Sequence, residues 1–128
     1  MFRHSAVFSG FSVHDLDVAH HFYGEVLGLD VTETNGLLWI HAPNGGRVVV
    51  YPKDDHQPAT YTTLSIPVTD IDAAVAYLDE KGVELIRYEG YPQDGNGVMR
   101  GFGPPIGWFH DPSGNVVSVI ELPEWSAG

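Results

Sequence analysis

The sequence contains no cysteine, which excludes disulfide bonds, thiolate metal sites and a cysteine nucleophile. Basic residues are also scarce: six lysines and arginines stand against 17 aspartates and glutamates, a formal net charge of −11. Nucleic acids and anionic membranes bind basic surfaces, so we expect neither as a partner. The acidic excess instead favours a soluble, cytoplasmic protein.

Long apolar runs are missing as well. No stretch approaches the roughly 18 consecutive apolar residues of a membrane span, and the first residues lack the apolar core of a signal peptide. An apolar fraction of 43% with 18% charged residues is typical of a globular chain. The 128 residues suffice for one domain with a hydrophobic core, or for two small repeated modules.

The chain repeats itself. Residues 8–15 (FSGFSVHD) and 63–70 (TLSIPVTD) share one alternating pattern, 55 positions apart. This alternation predicts a strand in each copy. Asp15 and Asp70 close the two stretches at the position of a helix N-cap, and helical periodicity follows each of them.

Each predicted helix presents an apolar face and ends at a glycine, Gly28 or Gly82. Further strands are predicted at 29–32 and 83–86. The predicted apolar faces consist of Val18, Phe22, Val26 and Leu27 in the first helix, and of Ile71, Val75 and Leu78 in the second.

The second half of each module repeats too. Residues 39–51 (WIHAPNGGRVVVY) align with 108–120 (WFHDPSGNVVSVI), 69 positions later, and both copies contain a proline–glycine hairpin turn. The larger offset reflects an insertion at 88–105. Each module therefore has the predicted order strand, helix and three strands. We expect one domain, 1–128, with module one at about 5–52, a linker at 53–59 and module two at about 60–122.

This βαβββ pair resembles the vicinal oxygen chelate superfamily, which includes glyoxalase I, the bleomycin-resistance proteins and the extradiol dioxygenases. The motifs that carry the resemblance lie at 13–17 with 22–29, at 68–74 with 78–82, and at 111–115. The resemblance implies an α+β fold in which two βαβββ modules form a curled, eight-stranded cup. It also implies a small-molecule ligand and a homodimer, with modules paired either within one chain or between two.

Metalloenzymes of the superfamily hold a divalent ion in the cup through His, Gln or Glu. The resemblance places those ligand positions at Phe8, Val49, Thr63 and Ser118. None of the four side chains is an imidazole or a carboxylate, the groups that such ions prefer. We therefore predict no metal site and no cofactor.

Other side chains are expected to line the cup. Alternation places Arg47 on the face of Val49, and the resemblance with the repeat adds Trp39 with His41 and Trp108 with His110. The insertion contributes Arg100 as an anion anchor in a lid over the ligand, or else packs at a dimer interface. The ligand-binding candidates are Phe8, Trp39, Arg47, Val49, Thr63, Arg100, Trp108 and Ser118.

These residues favour a protein that binds a small aromatic or planar molecule in a Trp- and His-lined cup. The alternative is a lyase, isomerase or oxygenase of the superfamily with unorthodox metal ligands, or with His41 or His110 as acid and base. Both tryptophans can equally be core residues, and both histidines can bond the hairpin backbone. A module whose cup is filled by its own side chains is a third interpretation.

Overall fold

The computed structural model describes residues 1–123 and divides the chain into two compact units, Met1–Gln57 and Pro58–Gly128. Each unit contains one small sheet of mixed strands and one helical segment, which confirms the α+β class. In the described part of the chain, no helix has the length and apolar character needed to span a bilayer.

The first unit has a four-stranded sheet. Its order is β1-β4-β3-β2, with β1 parallel to β4 and the other neighbours antiparallel. A two-residue turn joins β2 to β3, and Asn35 and Gly36 both have positive φ, as a tight hairpin with right-handed twist requires. The strands are β1 (Ser9–Val13), β2 (Asp30–Thr34), β3 (Leu37–His41) and β4 (Arg47–Pro52).

Both predicted helix starts are confirmed. The side chain of Asp15 accepts a hydrogen bond from the Val18 N–H, and that of Asp70 accepts one from the Ala73 N–H, each at 3.1 Å. Each aspartate therefore pairs a backbone donor that the first turn leaves unsatisfied. The helices are α1 (Leu16–His20) and α2 (Ile71–Glu80).

The predicted apolar face of the first helix is wrong at Val18, which is 46% exposed. Directly after α1 the chain widens into a π-helix, His21–Val26, in which the Leu27 N–H donates to the Phe22 carbonyl. The wider turn changes the angular step between side chains. As a result Phe22 and Tyr23 are buried together, in edge-to-face contact at 5.2 Å.

The core of the first unit lies on one face of its sheet. Tyr23 is fully buried and packs edge to face against Phe11 at 5.8 Å. Alternation along the strands leaves the opposite face outside this core. The buried strand residues are Phe11, Val13, Leu38, Ile40 and Val50.

The second unit has three regular strands. Their order is β5-β7-β6, with β5 parallel to β7 and β6 antiparallel to it. The predicted strand at 83–86 does not form a regular ladder, although the Ile86 N–H donates to the Trp108 carbonyl. Residues 1–123 thus contain seven strands rather than the expected eight. The strands are β5 (Thr62–Val68), β6 (Ile106–His110) and β7 (Val116–Glu121).

The second sheet packs against α2. Ile71 and Leu78 are buried as predicted, whereas Val75 is half-buried. Phe109 and Val117, which are register partners on β6 and β7, are fully buried. Burial alternates along β6, but Val116 to Val119 on β7 are all buried, so both faces of that strand are covered.

The two predicted hairpins are confirmed, at 42–46 and 111–115. In each, the backbone N–H of the first residue donates to the carbonyl of the fifth, at 2.8 and 2.9 Å. Gly45 and Gly114 supply the positive φ, 91° and 85°.

Candidate functional site

The face of the first sheet that lies away from the core carries Phe8, Trp39, Arg47 and Val49, here called the Trp39 face. The rings of Phe8 and Trp39 meet edge to face with centroids 5.0 Å apart. The Arg47 guanidinium carbon lies 4.3 Å from the centroid of the Trp39 ring and 5.2 Å from that of Phe8. Phe8 is 51% exposed, Arg47 is exposed and Trp39 is half-buried, so this aromatic and cationic cluster is partly exposed to solvent.

Strand register explains why these four residues meet. Val49 on β4 is the direct partner of Trp39 on β3, and Arg47 is the partner of His41. Residues paired across antiparallel strands project on the same face. The sequence prediction that Phe8, Trp39, Arg47 and Val49 share one face therefore agrees with the observed register and ring contacts.

His41 adds a titratable group beside Arg47. It is half-buried, and its Nε2 lies 2.8 Å from the Thr32 Oγ1 on the neighbouring strand β2. This hydrogen bond is made to a side chain and not to the hairpin backbone. It fixes the imidazole plane at the edge of the Trp39 face. Thr32 was not singled out by the sequence, because the pairing of β2 with β3 supplies the contact.

The equivalent tryptophan of the second unit has a different environment. Trp108 contacts the rings of Tyr88 and Tyr91, with centroids 5.4 and 5.6 Å away. Burial, with a smaller contribution from Tyr91, raises the pKa of Tyr88 above its ordinary value. Both tyrosines come from the insertion, and their packing on Trp108 was not predicted.

The four positions at which the superfamily places metal ligands do not fit a metal here. Phe8 and Val49 are apolar. The Thr63 hydroxyl donates to the Val116 carbonyl at 3.0 Å, and the buried Ser118 hydroxyl donates to the Ser65 hydroxyl at 2.9 Å. No group of three or more His, Asp or Glu side chains within residues 1–123 is arranged to hold an ion.

Nor does Asp111 offer a carboxylate for a histidine-based metal site. It is buried, and it accepts hydrogen bonds from the Ser113 and Asn115 N–H groups at 2.9 Å. The side-chain amide of Asn115 donates to its second oxygen at 3.1 Å. His110 is exposed at the end of β6. The Asp111 carboxylate thus holds the backbone of the second hairpin through these hydrogen bonds.

Arg100 is engaged by two carboxylates. Its guanidinium lies 2.7 Å from Asp72 of α2 and 3.2 Å from Asp94 of the insertion. Met99 makes two backbone hydrogen bonds with Ile106 of β6. Phe102, also in the insertion, is 74% exposed. The carboxylates of Asp72 and Asp94 thus neutralise the charge of Arg100 in this arrangement.

Polar side chains order the insertion from within. Gln93 accepts a hydrogen bond from the Tyr88 N–H and donates to the carbonyls of Ile86 and Gly97, each at 2.8 Å. Arg87 donates to the carbonyls of Asp94 and Gly95. These bonds give the segment a defined path despite its high glycine and proline content.

Between α2 and this segment lies an open, polar cleft of about 600 Å³. Three carboxylates line it, those of Asp72, Asp79 and Glu84, together with Arg87. The sequence did not predict the cleft, because it depends on the path of the insertion.

Residues 5–119 match the model of the Glyoxalase/Bleomycin resistance protein/Dioxygenase superfamily. A solved member of that superfamily from Sphaerobacter thermophilus DSM 20745 is similar, with 27% identity and a TM-score of 0.70 over 91% of this chain and 96% of that chain. A glyoxalase family protein from Enterococcus faecalis has 20% identity and a TM-score of 0.66 over 94% and 100%. At 20% identity, the similarity to the Enterococcus faecalis protein shows the fold alone. No match was found among curated proteins.

Proposed function

Because the chain belongs to the Glyoxalase/Bleomycin resistance protein/Dioxygenase superfamily, we propose that it binds a small planar molecule on the Trp39 face without using the superfamily's metal site. The observation that carries this proposal is the open contact of Phe8, Trp39 and Arg47 on a sheet face outside the core. Small-molecule sites combine aromatic walls with a few polar anchors. Here Arg47 and His41 are the polar groups.

The position of Trp39 supports a ligand contact over a core role. The apolar core of the first unit lies on the other face of the sheet, with Leu38 and Ile40 on either side of Trp39 along β3. A planar ligand stacked on one such ring gains about 0.5–1.5 kcal/mol beyond the burial of its area. Val49 and Phe8 extend the apolar floor beneath it.

The repeat provides a matched control for a direct test. A panel of planar aromatic compounds is titrated into the wild type, Trp39→Ala and Trp108→Ala, with calorimetry as the readout. We expect Trp39→Ala to weaken binding by about 3- to 10-fold. Trp108→Ala should chiefly lower the melting temperature, because its ring packs against Tyr88 and Tyr91.

The opposite pattern would assign the ligand to Trp108 in the second unit. Absence of binding by every compound in the panel would contradict the proposal.

A second candidate function is acid–base catalysis by His41, which is favoured by its fixed imidazole beside Arg47. Enzymes of this type show a pH–rate profile with an apparent pKa near that of histidine. His41→Gln should abolish such turnover, whereas His110→Gln serves as the matched control at the equivalent repeat position. A flat profile, or equal loss in both variants, would exclude His41 as the catalyst.

We also propose a homodimer. Large apolar side chains are exposed at Phe2, Val7 and Tyr61, and the two sheets have open edge strands that association can cover. Sedimentation velocity over a range of concentrations tests this, and a single monomeric species at every concentration would contradict it.

The absence of cysteine is compatible with a reducing compartment such as the cytoplasm.

A further inference from the structure

Arg47 is a cation held by aromatic rings rather than by carboxylates. It begins β4, it is exposed, and its guanidinium is stacked near both Trp39 and Phe8. Within residues 1–123 it forms no salt bridge. A guanidinium that lies against a ring keeps its N–H donors in its own plane, where they can bind an anion in a fork.

The charge of the chain makes this arrangement unusual. Acidic residues outnumber lysines and arginines by 17 to six, so carboxylate partners are plentiful. Two other arginines use their donors within the fold: Arg87 bonds two backbone carbonyls, and Arg100 pairs with two carboxylates. Arg47 instead adds a positive charge to the Trp39 face.

From these contacts we infer that the ligand of the Trp39 face is a planar molecule with an anionic group, and that Arg47 binds that group. This inference rests on the proposed function and specifies its ligand class as an aromatic carboxylate. The ring system stacks against Trp39 and Phe8 while the carboxylate takes the outward N–H donors of Arg47. His41, the cross-strand partner of Arg47, lies within the same polar edge.

The test uses three probes that share one ring system and differ in charge: 2-naphthoate, 2-naphthamide and 2-(aminomethyl)naphthalene. Affinities are measured by calorimetry for the wild type, Arg47→Gln and Arg3→Gln. Arg3 lies in the exposed amino-terminal segment, so its variant changes the net charge equally without touching the Trp39 face. Melting curves confirm that each variant is folded.

We expect the wild type to bind naphthoate about tenfold more tightly than naphthamide, as a charge-assisted hydrogen bond implies, and to bind the amine more weakly than both. The ratio of naphthoate to naphthamide affinity should fall to about one in Arg47→Gln and stay at its wild-type value in Arg3→Gln. Arg47→Lys should keep part of the preference, because it retains the charge without the planar fork.

Two outcomes would overturn the inference while leaving the proposed function intact. One is equal binding of naphthoate and naphthamide by the wild type, and the other is an equal loss of preference in Arg47→Gln and Arg3→Gln. If none of the three probes binds the wild type, or if Trp39→Ala binds all three as the wild type does, the proposed function fails and the inference fails with it.

Discussion

The two hairpins offer a stability experiment in which one copy of the repeat serves as the template for the other. Asp111 accepts hydrogen bonds from two donors of Asn115, which is buried, and from the Ser113 N–H. In the first hairpin Ala42 occupies the equivalent position. There the Gly46 N–H donates to the Asn44 side chain at 3.0 Å. The first hairpin therefore closes without a carboxylate.

Replacing Asp111 with alanine removes the carboxylate to which two donors of the buried Asn115 bond, whereas the half-buried Ser113 N–H can recruit water. An unsatisfied buried donor costs about 1–3 kcal/mol, so we expect Asp111→Ala to lower the free energy of unfolding by about 3 kcal/mol. With a urea dependence of about 2 kcal/mol per molar, the unfolding midpoint should fall by about 1.5 M.

Transplanting the first hairpin should recover part of that loss. The triple variant Asp111→Ala/Ser113→Asn/Asn115→Gly copies residues 42–46 into the second hairpin. It removes the side-chain amide of residue 115, which has lost its carboxylate acceptor. It also supplies an asparagine side chain that can accept a hydrogen bond from the backbone N–H of residue 115, as Asn44 does for Gly46. We expect about half of the lost free energy to return. The weak bond from the Ala59 N–H to Asn115 at 3.4 Å is not restored.

Urea unfolding followed by circular dichroism measures both effects. A loss below about 0.5 kcal/mol in Asp111→Ala, the range of a neutral surface substitution, would refute the reasoning that the carboxylate satisfies buried donors. A transplant no more stable than Asp111→Ala would show that the two hairpins are not interchangeable.

Three further predictions concern the second unit. Asp70→Ala removes the N-cap of α2 and should cost about 1 kcal/mol of unfolding free energy in urea titrations. Partial burial alone would raise the pKa of Asp94, but hydrogen bonds from two backbone N–H groups and Arg100 lower it overall. Its stabilising contribution is therefore present at neutral pH and is lost as the pH falls below its ordinary value near 3.8, so Asp94→Asn should show a flatter acid-unfolding profile. Gly97→Ala places a Cβ 2.9 Å from that of Leu85 at a φ of 93° and should lower the melting temperature by several degrees, an effect that an unchanged melting curve would contradict.

Local patterns in the sequence were sufficient to predict the helix caps and the two hairpins. Asp15 and Asp70 act within three residues, and the glycines of both hairpins satisfy a local requirement for positive φ. Alternation placed Arg47 on the face of Val49, whereas Trp39 was placed there by the family resemblance and the repeat.

Features that depend on distant contacts were not predictable in this way. The π-helix after α1 has no sequence signature here, and it changed which apolar side chains are buried. The segment 83–86 has strand composition, yet it does not form a regular strand. Its Leu85 instead packs closely against Gly97 and Gly107. The carboxylate partners of Arg100 come from a helix 28 residues away in sequence and from a turn in the insertion.

The difference between the two tryptophans follows from the length of one connection. In the first unit two residues join β2 to β3, and Trp39 contacts Arg47 of β4 and Phe8 of the segment before β1. In the second unit the chain takes a long path between 86 and β6, and that path places Tyr88 and Tyr91 on Trp108. Both tryptophans are half-buried, but the ring of Trp108 contacts two tyrosines of the insertion, whereas that of Trp39 contacts Phe8 and the guanidinium of Arg47. The tryptophan position that the two units share therefore has two roles. In the second unit the ring packs against tyrosines, and in the first, by our proposal, it binds the ligand.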